Sequence, residues 1–133
     1  MYMLDTDTCI YIIKKKSPMI LERFKRHREE GLHISSITLA ELEFGIENNS
    51  SGYKEKNRIA LLGFLTIFKI VAFDENAAKE YGIVKKQLKD KNCLIGPFDM
   101  LIGSQAKSLK MTLVTNNLRE FEKIENLKLE NWM

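Results

Sequence analysis

Short apolar runs of strand length alternate with longer amphipathic segments along this chain. That alternation restricts the fold more than any other property. Tyr2-Met3-Leu4, Leu32-His33-Ile34-Ser35, Ile70-Val71-Ala72-Phe73 and Thr112-Leu113-Val114-Thr115 read as strands, with Leu127-Lys128-Leu129-Glu130 as a candidate fifth. Between them lie helical segments with recognisable ends. Thr6, Asp7 or Thr8 is placed to cap a helix through Cys9-Ile10-Tyr11-Ile12-Ile13, and Pro18 suits the first turn of a helix that Gly31 stops. Ser36 or Thr38 is placed to cap the next helix, Asp74 one from Glu75 to about Lys89, and Pro97 opens another. Leu61, Leu62, Leu65 and Phe68 share one helical face, and core packing is the expectation for Leu62 and Leu65. Asn48-Asn49-Ser50-Ser51-Gly52 is the clearest loop and too short for a linker between domains. Strands alternating with helices predict an α/β fold, a central parallel sheet of four to five strands flanked by helices.

At 133 residues, with 44% hydrophobic and 29% charged residues, the expectation is a single compact domain over 1–133. Its longest apolar runs, such as Ala60 to Leu65, are too short to span a bilayer. The opening Met1-Tyr2-Met3-Leu4-Asp5 has no basic region leading into an apolar stretch, so a cytoplasmic address is expected. Cys9 and Cys93 share no metal-like spacing and read as buried, reduced thiols. With only His27 and His33, neither a Cys/His zinc site nor a Ser-His-Asp triad has much to draw on. The net charge of +3 is compatible with a polyanionic partner without requiring one, and the lysine clusters at 14–16 and 85–91 read first as solvated helix surface.

The chemistry on offer is acidic. In open α/β sheets ligands bind beyond the carboxyl ends of the strands, and Asp5 and Asn116-Asn117 directly follow the first and fourth strands. Glu41 and Glu43 compete for an inward place on one helix. Spacing of three and four residues sets Glu41 with Ile37, Phe44 and Gly45, which favours it by a thin margin. Asp99 lies in the first turn of the helix opened by Pro97. The helix dipole alone would justify an acid there, but Phe98, Met100, Leu101 and Ile102 around it make a lone charge costly. Thr115-Asn116-Asn117 offers hydrogen-bonding groups, and Glu120 on the following turn is as well explained by plain surface exposure. Carboxylates gathered from distant segments repel one another unless a cation lies between them, and oxygen-only donors suit Mg²⁺ or Mn²⁺.

Four segments in order carry a family likeness: Leu4-Asp5-Thr6-Asp7, Ser36 to Gly45 (SITLAELEFG), Gly96 to Ile102 (GPFDMLI) and Val114 to Phe121 (VTNNLREF). With the closing Leu129-Glu130-Asn131-Trp132, the chain resembles the PIN-domain toxins of the VapC type over essentially its whole length. The resemblance implies a single PIN domain and an endoribonuclease dependent on Mg²⁺ or Mn²⁺. It matches Asp5, Glu41 and Asp99 to the three core acids and Glu120 to the fourth, with Asp5 and Asp99 as the main metal ligands. Thr115, Asn116 and Asn117 match the polar segment where many PIN domains carry aspartate. It also implies single-stranded or looped RNA as substrate, transfer RNA among the candidates, with a VapB-type antitoxin and a homodimer. The antitoxin's groove would be sought among the apolar residues between Ile46 and Phe68. Asp7 departs from the family's frequent asparagine at that place, with a helix-capping role expected for it. Two other readings fit the same residues: a PIN-fold protein that binds RNA or a partner with weak catalysis, and a DNA-directed nuclease.

Overall fold

The computed structural model describes residues 1–49 and 52–133; Ser50 and Ser51 of the expected loop lie outside the described residues. The strands are β1 (Tyr2–Leu4), β2 (Leu32–Ser35), β3 (Lys69–Val71), β4 (Thr112–Val114) and β5 (Leu129–Glu130). The helices are α1 (Thr6–Ile13), α2 (Pro18–His27), α3 (Ser36–Glu47), α4 (Lys54–Leu65), α5 (Glu75–Asp90), α6 (Pro97–Ser108) and α7 (Leu118–Phe121). Among the described residues the strands form one parallel five-stranded sheet in the order β3-β2-β1-β4-β5.

β1 is central because both of its faces are apolar. Met3 and Leu113 pack against α5, α6 and α7, while Leu4 and Val114 pack against α1 to α4. Alternation along a strand sends neighbouring side chains to opposite faces, so three residues serve two cores. Met3 and Leu4 are fully buried, each worth ~1.5–3 kcal/mol in transfer terms. The chain leaves β1 toward β2 and later returns to place β4 on its other side, so the sheet's switch point lies between β1 and β4.

Four sequence expectations are corrected by local chemistry. The cap of α3 is Ser35, its hydroxyl accepting from the Ile37 N–H (2.9 Å), rather than Ser36 or Thr38. The third strand is Lys69–Val71 rather than residues 70–73, because the backbone beyond it is diverted. The carbonyls of Val71 and Ala72 accept from the Gln105 amide, and the Phe73 N–H donates to Ser36 Oγ. The fifth strand keeps only Leu129 and Glu130 of its expected four residues. Leu62 is exposed rather than core, whereas Leu61 and Phe68 are buried and Leu65 packs partly against the core. Cys9 is buried and Cys93 half-buried, both as free thiols. No helix among the described residues is long and apolar enough to cross a membrane.

Candidate active site

Beyond the carboxyl ends of β1 and β4 the fold draws together carboxylates from four separate stretches of chain. Asp5 arrives first. Its N–H donates to the Val114 carbonyl (3.0 Å), and its Oδ1 accepts from the Thr8 N–H (2.9 Å), making it the N-cap of α1. That corrects the expectation of Thr6, Asp7 or Thr8 as cap. Asp5 retains the extended backbone a capping residue needs, while the next three residues are already helical. Asp7 is exposed in the first turn of α1. Burial raises the pKa of Asp5, hydrogen bonds from Thr115 and Thr8 oppose that rise, and the Asp7 charge adds to it.

α3 delivers Glu41. Its Oε1 lies 2.6 Å from the Thr6 hydroxyl, which lies 3.2 Å from the Thr38 hydroxyl. Glu43, two residues on, turns the other way and is held by both oxygens on Arg58 Nη1 at 2.6 Å. Geometry therefore separates the two glutamates. Glu43 is neutralised by a cation of the fold, and Glu41 faces the other acids.

Asp99 sits in the first turn of α6, which Gly96 and Pro97 begin. Among the described residues no donor reaches its carboxylate, and no lysine or arginine acts on it. Burial first, then the charges of Glu120, Asp5, Glu41 and Asp7, push its pKa up to about 7. The environment thus works against the charge on Asp99 from every side.

Glu120 is the neighbour that presses hardest, and the fold holds it firmly. Its Oε1 accepts from the Gly96 N–H (2.9 Å) and its Oε2 from the Asn117 side-chain amide (2.6 Å). A Cβ at Gly96 would meet Asp99 Oδ2 and Glu120 Oε1 at 3.7 Å each, an ordinary contact, so it is the Gly96 N–H and not its lack of a side chain that the site uses. Thr115 is fully buried, and its hydroxyl accepts the Asn117 N–H (2.9 Å). Asn116 is half-buried between them. All seven residues singled out in the sequence stand at this end of the sheet. Three participants were missed: Thr6, Thr38 and Gly96. Thr38 stands three residues before Glu41, a same-face spacing visible in the sequence, but nothing local pointed to Thr6.

The donors are oxygens throughout, and a hard divalent cation fits the crowded Asp99 carboxylate better than any alternative the described residues supply. Among the described residues no three His, Cys, Asp or Glu side chains are drawn together tightly enough to ligate one ion. An ion here would complete its shell with water or substrate oxygens, as Mg²⁺ commonly does.

Beside Glu41 a groove of about 640 Å³ runs between α1, α3 and α4. Ile10, Ile13, Leu42, Ile46 and Leu61 line it together with Lys14, Lys15, Lys56 and Glu41.

Comparison with known proteins gives a consistent result. The sequence profile of the PIN domain family matches residues 2–127. The chain is 40% identical over 131 residues to the tRNA(fMet)-specific endonuclease VapC of Salmonella typhimurium, covering 98% of this chain and 97% of that one. It is also 40% identical over 132 residues to Ribonuclease VapC2 of Haemophilus influenzae, covering 99% and 98%. Among solved structures, VapBC2 from Rickettsia felis bound to a promoter DNA fragment superposes with a TM-score of 0.93 at 38% identity. That match covers 99% of this chain and 98% of that one. DNA-bound VapBC from Salmonella typhimurium gives 0.92 at 39% identity, covering 99% and 98%.

Proposed function

The chain belongs to the PIN-domain family as a toxin endoribonuclease of the VapC type, and on that premise we propose how it works. It acts as one PIN domain over 1–133, with Asp5, Glu41, Asp99 and Glu120 forming the catalytic pocket and Thr115, Asn116 and Asn117 its polar wall. The observation that carries this reading is Asp99, half-buried, without a hydrogen-bond donor among the described residues and crowded by four other acids.

Asp99 and Asp5 would hold Mg²⁺ or Mn²⁺. Such a cation lowers the pKa of bound water and offsets charge building on a phosphate. The chain's own side chains then divide the remaining work. Asp99, whose pKa burial and the neighbouring acids push up to about 7, would be held ionised by a cation's charge. Asp5, fixed as a cap and hydrogen-bonded by Thr115, keeps its carboxylate at the end of β1. Glu41 is held through Oε1 and leaves Oε2 to accept from the attacking water. Glu120 fixes the start of α6 through Gly96 and so sets where Asp99 stands.

The substrate is single-stranded or looped RNA, whose bases and backbone are accessible. Transfer RNA is the first class to test, because the Salmonella relative is named for it. The protein works in the cytoplasm as a homodimer under a VapB-type antitoxin. The groove beside Glu41 is that antitoxin's seat. Its apolar floor suits an amphipathic helix, and its lysine rim suits acidic flanks. Of the expected groove segment, Ile46 and Leu61 line it while also packing into the core, and Phe64 and Phe68 belong to the core alone.

The test is cleavage of total and transfer RNA, beside labelled DNA, with Mg²⁺ or Mn²⁺, an EDTA control and Asp99→Asn. Discrete RNA products that disappear in both controls are expected. Equal cleavage by Asp99→Asn would remove the assigned site, and preferential cleavage of DNA would replace the substrate.

A further inference from the structure

We propose that Thr6 is a positioning residue for Glu41: its hydroxyl, itself oriented by Thr38, fixes the Glu41 carboxylate in the pocket. The proposal rests on the nuclease reading above and assigns a role to a residue outside the acidic set.

The argument starts from proton bookkeeping. Thr6 Oγ1 stands 2.6 Å from Glu41 Oε1 and 3.2 Å from Thr38 Oγ1. A threonine hydroxyl carries one proton and two lone pairs, and an ionised carboxylate only accepts. The Thr6 proton therefore goes to Glu41, and the Thr6 oxygen accepts from Thr38. The result is a directed chain, Thr38 to Thr6 to Glu41, ending in a charge-assisted bond, and such bonds are shorter and stronger than neutral ones. Successive hydrogen bonds in a chain also polarise one another.

Placement supports the same assignment. Thr38 is fully buried and Thr6 nearly so, so neither hydroxyl has ready access to bulk water as an alternative partner. Thr6 opens α1, immediately after Asp5 caps it. Thr38 and Glu41 lie on one face of α3, three residues apart. Consecutive residues at the end of β1 thus do two jobs: Asp5 enters the pocket, and Thr6 ties α3 to it. Threonine has a mediocre helix propensity, and its contacts here explain its place at the start of α1. Glu41 is otherwise a long, partly exposed side chain, and among the described residues Thr6 is the one donor to it. Without that donor its carboxylate samples rotamers in which the second oxygen no longer meets water at the reacting centre.

The experiment compares wild type, Thr6→Val, Thr6→Ser and Thr38→Val in steady-state RNA cleavage, together with crystal structures of wild type, Thr6→Val and Thr38→Val. Thr6→Val is expected to lower kcat by about 10- to 100-fold with KM for RNA unchanged, the range expected for losing orientation of a reacting group. Thr6→Ser, which keeps the hydroxyl, restores most of the rate. Thr38→Val lowers kcat in the same direction by a smaller factor, and decides the question should Thr6→Val fail to fold. Wild-type kcat in Thr6→Val, or equal losses in Thr6→Val and Thr6→Ser, would overturn the proposal. A wild type that cuts no RNA would sink the nuclease reading instead. The crystal structures then decide the role of Thr6, because a Glu41 carboxylate left in place in Thr6→Val refutes it.

Discussion

Replacing Asp99 with asparagine in cation-free protein should make the fold more stable, by an amount that depends on pH. The wild-type carboxyl is displaced from 3.8 to about 7 by burial and by Glu120, Asp5, Glu41 and Asp7. A carboxyl raised in the folded state contributes stability that is complete below its unfolded value and is lost as pH rises through the folded one. Above about pH 7 the wild type therefore carries the full burden of an ionised Asp99, and asparagine carries none. The displacement corresponds to ~4 kcal/mol at 1.36 kcal/mol per pH unit. Partial solvent access screens charges at this site, so we discount that by half, to ~2 kcal/mol. For a chain of this length that amounts to a melting-temperature increase of about 6–10 °C at pH 8. The advantage should be absent near pH 4, grow between pH 4 and 7, and level off above. Thermal unfolding followed by circular dichroism in EDTA, at half-unit steps from pH 4 to 8.5, gives the profile directly. Millimolar Mg²⁺ or Mn²⁺ should reverse the sign, because a cation at 100 times its Kd stabilises the wild type by ~2.7 kcal/mol while the variant lacks the ligand. An Asp99→Asn protein less stable than wild type at pH 8 in EDTA would refute the reasoning. So would an advantage that does not vary with pH.

Two further outcomes follow from the same geometry. Glu41→Gln should lower RNA cleavage by about 100-fold or more, while Glu43→Gln, which only disturbs the pair with Arg58, should leave cleavage near wild type; parallel rate measurements distinguish them. Gly45 lines the groove and has nothing within 4 Å of a Cβ, so Gly45→Lys should block neutralisation by the antitoxin while preserving RNA cleavage and the melting temperature, as read by titrating antitoxin into the cleavage assay.

How much was legible depended on where each signal was generated. β1 and β4 carry apolar residues on two buried faces, and β2 carries Leu32 and Ile34 on one buried face with buried His33 and Ser35 on the other, so their own sequences announce them. β3 is an edge strand with Lys69 and Ile70 exposed. Its extent is set by pairing with His33 to Ser35 and by Gln105 and Ser36 drawing the backbone away. None of those partners is near in sequence. Asp5 and the Thr115-Asn116-Asn117 segment could be placed by topology alone, since they follow strands on one edge of the sheet. Glu41 was separable from Glu43 only faintly by helical spacing. The decisive difference lies in Thr6 on one side and Arg58 on the other, 35 and 15 residues away. Glu120 gave little local sign: its contact with Asn117 lies within three residues and says nothing of the pocket, and Gly96 meets it only once α6 and α7 have packed.

The order of the sheet has one more consequence. Asp5 and Glu41 belong to the part of the chain that builds β1, β2 and β3, and Asp99 and Glu120 to the part that builds β4 and β5. The two parts are joined covalently through the exposed turn around Asn92 between α5 and α6, and non-covalently by the parallel pairing of β1 with β4 and the packing of α5 on α6. Opened at that turn, the molecule becomes two fragments with half of the acidic set each, and neither can form the pocket alone. Toxicity would then behave as a logical AND, silent in either fragment and switched on only where the two meet.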